Sequence, residues 1–199
     1  YGSRGYIAHD PDLSGNLLAV GNQVYYTHGG GNKWEGVGPN DTKFTGPVTR
    51  VAIQNRGNRF VWVAGTENGQ LWILNKPHTY LSSKPWKLFF ERDSDPAAVQ
   101  SIAFSPSDPD VFYVAFTGAS DSERIYRFKM YGLDPVSLLY DNITHNLPQY
   151  TKPIVIAGDP NDPFVTYLGT EKGVWRWELH TDAMEKWNPY NTGLPLTNV

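Results

Sequence analysis

One order of segments recurs four times along the chain: an apolar strand, a turn, a second apolar strand, a tight turn and an aromatic third strand. Three copies are clear: VTRVAIQNRGNRFVWVAGTENGQLWIL from Val48, VQSIAFSPSDPDVFYVAFTGASDSERIYRF from Val99 and KPIVIAGDPNDPFVTYLGTEKGVWRW from Lys152. A more worn copy, GYIAHDPDLSGNLLAVGNQVYYT, starts at Gly5. Their spacing is nearly constant. Phe104 and Ile156 lie 52 residues apart, as do Phe112 and Phe164, and Ile53 and Phe104 lie 51 apart. In the third strand an aliphatic column (Val24, Leu71, Ile125, Val174) precedes an aromatic one (Tyr25, Trp72, Tyr126, Trp175). A further tryptophan follows at Trp34, Trp86 and Trp187, whereas the third copy offers Leu138 and Leu139 in that region. A fixed period marks a repeat architecture, in which each unit covers its apolar face by stacking on its neighbour.

The second strands, NLLAV, FVWVA, VFYVAF and FVTYL, are apolar at successive positions. An antiparallel sheet with one wet face would alternate apolar and polar residues, so both faces here require protein cover. A repeat of about fifty residues holding four short strands, stacked on both sides, describes a propeller blade. We therefore expect an all-β chain, a β-propeller of four-stranded antiparallel blades over residues 5–44, 45–95, 96–148 and 149–193. The outer strands should fall at KWEGVG, PWKLFFE, VSLLYDN and KWNPY. Gly69 in ENG and Gly173 in EKG suit the positive φ of tight hairpins, and SPSDPD and GDPNDP turn first strands into second. No amphipathic helix of the length an α/β fold needs is evident. The 19 Gly, 15 Pro and 14% aromatic residues agree with short strands and many turns. Leu196–Val199 match VTRV at 48–51, so 194–199 should open a further blade. The expected ring is then larger than four blades, with further blades of the same chain or an assembly covering its apolar faces.

The residues FVTYLGTEKGVWRW…KWNPYNTGLPLTNV, a Y-x-G-T-x-x-G-V-W-R strand pair followed by a tryptophan and then G-L-P-x-x-x-V, resemble the BNR/Asp-box propeller repeats. Those repeats occur in sialidases, xyloglucanase-type glycosidases, sortilin-like receptors and photosystem assembly factors. NLPQYTKPIVIAGDPNDP carries the same hinge at Asn146, Leu147 and Pro148. The resemblance spans nearly the whole chain and is strongest over 145–199. The Asp-box, Ser/Thr-x-Asp-x-Gly-x-x-Trp, is eroded: THGGGNKW keeps Thr27, Gly31 and Trp34 but has Gly29 in place of the Asp. In the fourth copy Asp182 lies in the loop between Trp177 and Trp187, out of register. The resemblance implies a propeller and leaves open catalysis, carbohydrate binding and protein binding.

Composition narrows the partners. A net charge of −3 and a pI near 5.9 give no electrostatic case for nucleic acid. No apolar run approaches the ~20 residues of a membrane span. The absence of cysteine excludes disulfides and thiolate chemistry. His9, His28, His78, His145 and His180 are scattered over turns without metal-ligand spacing, and no zincin, nucleophile-elbow or P-loop motif occurs; no metal and no cofactor is expected. Sequons at Asn40 (NDT) and Asn142 (NIT), in connections between blades, point toward a secreted or cell-surface protein.

A glycosidase needs two carboxylates about 5–10 Å apart across a sugar. Turns and connections on one mouth offer Glu67, Asp93, Asp95, Asp121, Glu123, Asp141 and Glu171, which is also what any solvated turn-rich face contains. A sialidase needs an arginine cluster, yet the column of Arg50 continues as Ser101, Pro153 and Asn198. Trp34, Trp72, Trp86, Trp175 and Trp187 sit in repeated columns and are assigned to structure. The column of Trp177 holds Thr27, Leu74 and Phe128, so its indole is not a repeat requirement. Trp177, Tyr150 and Arg50 are therefore the ligand-binding candidates, since stacking on a sugar needs a partly exposed ring. The expected function is a rigid, non-catalytic module that binds a carbohydrate or a protein. The alternatives are a xyloglucanase- or sialidase-like glycoside hydrolase and an intracellular assembly factor.

Overall fold

The computed structural model describes residues 6–21, 23–38, 44, 46–56, 59–77, 86–92, 97–118, 122–132, 137–179 and 185–193. Every regular element among them is a strand, and the strands form four sheets of four, each joined in chain order. The first blade holds β1 (Ile7–His9), β2 (Leu17–Val20), β3 (Val24–Thr27) and β4 (Glu35–Gly36). The second holds β5 (Val48–Arg56), β6 (Arg59–Thr66), β7 (Leu71–Pro77) and β8 (Lys87–Phe90). The third holds β9 (Ala98–Phe104), β10 (Val111–Thr117), β11 (Ile125–Tyr131) and β12 (Ser137–Asn142). The fourth holds β13 (Pro153–Gly158), β14 (Val165–Thr170), β15 (Gly173–Glu178) and β16 (Trp187–Pro189). These are antiparallel propeller blades, and the outer strands lie in the four segments expected for them. The matching segment 194–199 lies outside the described residues.

Turn chemistry sets the hairpins. Gly69 and Gly173 take φ of 80° and 107° between second and third strands, a region closed to most side chains. Between first and second strands the work is done by aspartates. Asp159 Oδ1 accepts from the backbone N–H of Asn161 (2.8 Å) and Asp162 (3.2 Å), and its Oδ2 accepts from the Tyr167 hydroxyl at 3.1 Å. The hydrogen bond from Asn161 leads in holding the Asp159 carboxyl below the usual aspartate range; burial opposes it, while Tyr167, Asp162 and the Arg176 charge assist. A depressed folded-state pKa stabilises the fold above the unfolded value, and that contribution is lost as pH falls through the folded one. An NMR titration should therefore place the Asp159 midpoint below 3.8, and Asp159→Asn should flatten the acid limb of the stability curve. A midpoint at or above the ordinary value would refute it.

The chain divides into two compact units, one built on the first two blades and the other on the last two. In the first unit, Leu18, Val20, Val24 and Tyr26 of one blade pack on Val51, Ile53, Trp62, Ala64, Trp72 and Leu74 of the next. In the second, Val111, Tyr113, Ala115 and Ile125 pack on Ile156, Leu168 and Trp177. Consecutive buried residues in β6 (Phe60–Ala64, all at most 3% exposed) and β10 (Val111–Phe116, all at most 2%) show these strands covered on both faces. In β2 the burial alternates, with Leu18 and Val20 buried and Leu17 and Ala19 only half-buried.

The repeated tryptophans divide. Trp72, Trp86 and Trp187 are 4%, 2% and 1% exposed, as core columns should be. Trp175 is only half-buried, packing on the rim of the second core, and Trp34 is 37% exposed. Trp86 and Trp187 also work as donors: Trp86 Nε1–H donates to the Val37 carbonyl (2.8 Å) and Trp187 Nε1–H to that of Ile143 (2.7 Å). The third copy needs a correction. Cross-strand pairing sets Phe128 opposite Tyr140, just as Trp177 lies opposite Trp187. Tyr140, and neither Leu138 nor Leu139, therefore occupies the tryptophan column.

Candidate functional site

The segment that leaves the third blade, residues 143–152, is tied down more tightly than its sequence suggests. Arg124, 3% exposed, donates from Nη1 to the carbonyls of Pro148 (3.0 Å) and Thr151 (2.7 Å) and from Nη2 to that of Leu147 (3.0 Å). Thr144 Oγ1 accepts from the backbone N–H of Arg124 (2.8 Å) and Ile125 (2.9 Å). Asn146 grips the backbone of Trp187 twice, its Oδ1 accepting from the N–H at 2.7 Å and its Nδ2 donating to the carbonyl at 2.9 Å. Between these anchors His145 takes a φ of 40°, a conformation that persists only where the surroundings over-determine it.

His145 thereby faces an open pocket of about 480 Å³ in the second unit, lined also by Arg127, Tyr140, Asp141, Trp177 and Glu185. Arg127 and Asp141 are cross-strand partners on β11 and β12, and their charged ends lie 3.6 Å apart. His145 Nε2 lies 3.4 Å from Glu185. One ion pair and one histidine–carboxylate contact thus border the cavity. Tyr140 also borders the cavity, but as the chain neighbour of Asp141 on β12 it sends its ring to the opposite face of the strand, where it packs on Tyr126 and Phe128 with centroids 6.0 and 5.7 Å away. Trp177 forms the inner wall.

The ligand candidates read from the sequence are dispersed. Trp177 lines the pocket but is fully buried, which corrects the expectation of a partly exposed stacking ring. The reason lies in its column: Thr27, Leu74 and Phe128 are at most 4% exposed, so this is a core position whatever residue fills it. Tyr150 is 76% exposed at a φ of 60° and does not line the pocket. Arg50 belongs to the other unit, where its guanidinium lies 5.2 Å over the Tyr6 ring and donates to the Thr49 carbonyl at 2.7 Å.

Of the carboxylates, Asp141 alone of those singled out lines the pocket. Glu171 lies 3.8 Å from Lys152, Glu67 is exposed and Glu123 half-buried, and Asp93, Asp95 and Asp121 lie outside the described residues. Asn40 also lies outside them. The Asn142 side chain is exposed, donates to the Ser122 carbonyl at 2.7 Å and accepts from the Thr144 N–H at 3.0 Å. Glu185, Arg127 and Tyr140 escaped the sequence reading. Tyr140 could have been found by counting back from the strand pairing rather than forward from the previous tryptophan. In THGGGNKW the turn forms without the aspartate, the Thr27 hydroxyl accepting from the N–H groups of Gly29 and Gly31, both at 3.3 Å.

No group of three or more potential metal ligands occurs among the described residues, and no helix among them is long and apolar enough to cross a membrane.

No protein-family model matches the sequence, and no curated protein matches it. Solved structures do. An ancestral GH74 enzyme superposes with a TM-score of 0.65 at 18% identity, over 95% of this chain and 27% of that one. The GH74 xyloglucanase of Xanthomonas campestris gives 0.57 at 15% identity, over 86% and 27%. YCF48 bound to a D1 peptide gives 0.53 at 16%, over 96% and 53%. At these identities the likeness shows the β-propeller fold. The chain spans about a quarter of the length of the two GH74 structures and about half that of YCF48.

Proposed function

We propose that the chain is a rigid, non-catalytic propeller module of the BNR/Asp-box type, whose pocket in the second unit binds a short, neutral carbohydrate. The observation that carries this is that two basic–acidic side-chain pairs border one open cavity. Arg127 with Asp141 and His145 with Glu185 present planar donors and acceptors side by side, which suits hydroxyl groups. Both carboxylates of the pocket stand against basic partners, which supports binding over glycosidic catalysis, where one acid must be free to donate its proton. A secreted location goes with this function, supported by the exposed side chain of Asn142 in its sequon.

A protein ligand is the second reading. Leu139 and Tyr131, 64% and 46% exposed, lie on the face of β12 and β11 that carries Asp141 and Arg127, and extend the rim with apolar surface. YCF48, whose structure holds a D1 peptide, is a precedent for peptide binding on this fold.

The test is a glycan array followed by calorimetry on the best hit. Arg127→Ala and Glu185→Ala should each weaken binding about tenfold or more. Undiminished binding in both variants would remove the pocket from consideration. Reducing ends released from a polysaccharide would replace binding by hydrolysis. A silent array, with capture of a protein abolished by Leu139→Asp, would favour the second reading.

A further inference from the structure

The sequon Asn142-Ile143-Thr144 runs from the last residue of β12 into the connector, and the fold treats its two chemical ends oppositely. Asn142 is exposed, whereas Thr144 is fully buried. The Asn142 Oδ1 accepts from the Thr144 N–H at 3.0 Å, and its Nδ2 donates to the Ser122 carbonyl at 2.7 Å. A primary amide nitrogen carries two N–H groups, and the Ser122 carbonyl takes one of them. The Thr144 hydroxyl has no such reserve. Its oxygen accepts from the backbone N–H of Arg124 at 2.8 Å and of Ile125 at 2.9 Å, and its O–H makes a long contact of 3.5 Å with the Ile125 carbonyl. Both lone pairs of that oxygen are therefore committed inside the blade. All of these residues belong to the second unit.

We propose that Asn142 is an acceptor for N-linked glycosylation that is open while the chain is unfolded and closed once the third blade has formed. The transfer is a substitution at a sugar carbon. Nδ2 forms a bond to C1 of the first sugar, the bond from C1 to the oxygen of a lipid-linked diphosphate donor breaks, and one amide proton leaves with the diphosphate. The product amide keeps a single N–H, which is what the Ser122 carbonyl requires. The glycosylated chain thus retains the hydrogen bonds of the native one, with the sugar leaving from a side chain that already meets solvent. Reading the sequon is a different matter. Its third residue must be Ser or Thr, so the transferase has to reach the Thr144 hydroxyl, and in the folded chain only local unfolding releases it. The fold accommodates the modification and does not allow it to be added afterwards. Its use in the cell rests on the secreted location proposed above.

Translation of the 199-residue polypeptide behind a secretory signal, in the presence of microsomes, tests the acceptor. An Asn40→Gln background removes the other sequon. The expected result is one upward shift in mass that an endoglycosidase reverses. Asn142→Gln and Thr144→Val should each abolish it, and Thr144→Ser should keep it. Transfer precedes folding, so these variants report on the acceptor whether or not they fold. The gate is tested on polypeptide purified from a bacterial cytosol and shown to be folded by circular dichroism. It is given detergent-solubilised transferase and lipid-linked donor, beside a synthetic peptide of residues 137–149. The peptide should be modified about a hundredfold faster or more. No mass shift in microsomes overturns the acceptor, and equal rates for peptide and folded polypeptide overturn the gate. A source cell that keeps the chain out of its secretory pathway, while microsomes still shift its mass, would sink the secreted location alone.

Discussion

Trp187→Ala should lower stability by about 3–5 kcal/mol, the range for truncating a buried aromatic. Three losses combine at this residue. The ring is 1% exposed and lies 6.3 Å from that of Trp177 between two blades, so its removal leaves a cavity in the second core. Its N–H no longer satisfies the Ile143 carbonyl. The strand carrying it also holds Asn146, so a strand loosened by the cavity frees the connector that presents His145. Trp187→Phe should recover most of the packing and still fall about 1 kcal/mol short, the usual net worth of one hydrogen bond. Trp34→Ala, the same substitution in the same register, should cost far less, since that ring is 37% exposed. Urea unfolding of the three variants measures the differences, and equal losses at Trp34 and Trp187 would contradict the account.

Arg124→Ala is expected to be comparably damaging although it removes no apolar core. The guanidinium satisfies three carbonyls of the 143–152 connector from a position 3% exposed. A buried acceptor left without a donor costs about 1–3 kcal/mol, so the variant should lose about 3 kcal/mol or more, out of the 5–15 kcal/mol typical of a domain. Arg124→Lys should rescue little, because an ammonium cannot reproduce the planar fork that reaches Leu147, Pro148 and Thr151 together. Amide hydrogen exchange gives a reading specific to this role: protection at Leu147 and Thr151, whose N–H groups bond Thr144 and Pro148, should fall first. Unchanged exchange there with a lowered melting point would mean that Arg124 acts elsewhere.

The blades were legible because burial writes itself into spacing. The column Val24, Leu71, Ile125 and Val174 recurs because each repeat asks the same thing of the same position. The pairs Phe104–Ile156 and Phe112–Phe164 instead prove two residues out of register, since Ser105 N–H bonds Val111 as Asp159 N–H bonds Val165. The same logic failed at Trp177, where the residue type varies down the column as Thr27, Leu74 and Phe128 while the burial does not. Variation in side-chain size down a column mimics freedom from the core, and it is only freedom in how the core is filled. Tyr140 was missed for the opposite reason. Tyr140 follows Tyr126 by 14 residues, as Trp86 follows Trp72, but it lies 54 residues after Trp86 where Trp86 lies 52 after Trp34, so a count from tryptophan to tryptophan passes it by and the strand pairing recovers it. Arg124 left no trace in periodicity, since its three partners are backbone carbonyls 23 to 27 residues away, and backbone groups carry no letter in a sequence. The pocket was illegible for the same reason: His145 and Glu185 meet only after the connector has been tied at both ends.

The indole contacts run backwards along the chain. Trp187 secures a carbonyl made 44 residues earlier, and Trp86 one made 49 residues earlier. On a ribosome adding about 5–20 residues per second, each connector therefore waits roughly 2–10 seconds between its own synthesis and that of the tryptophan that fastens it. During that interval the finished blade exposes the apolar face its successor will cover. A nascent chain of this kind is most vulnerable just before each outer strand appears, and a chaperone that shields such surfaces would be needed in pulses with the period of the repeat.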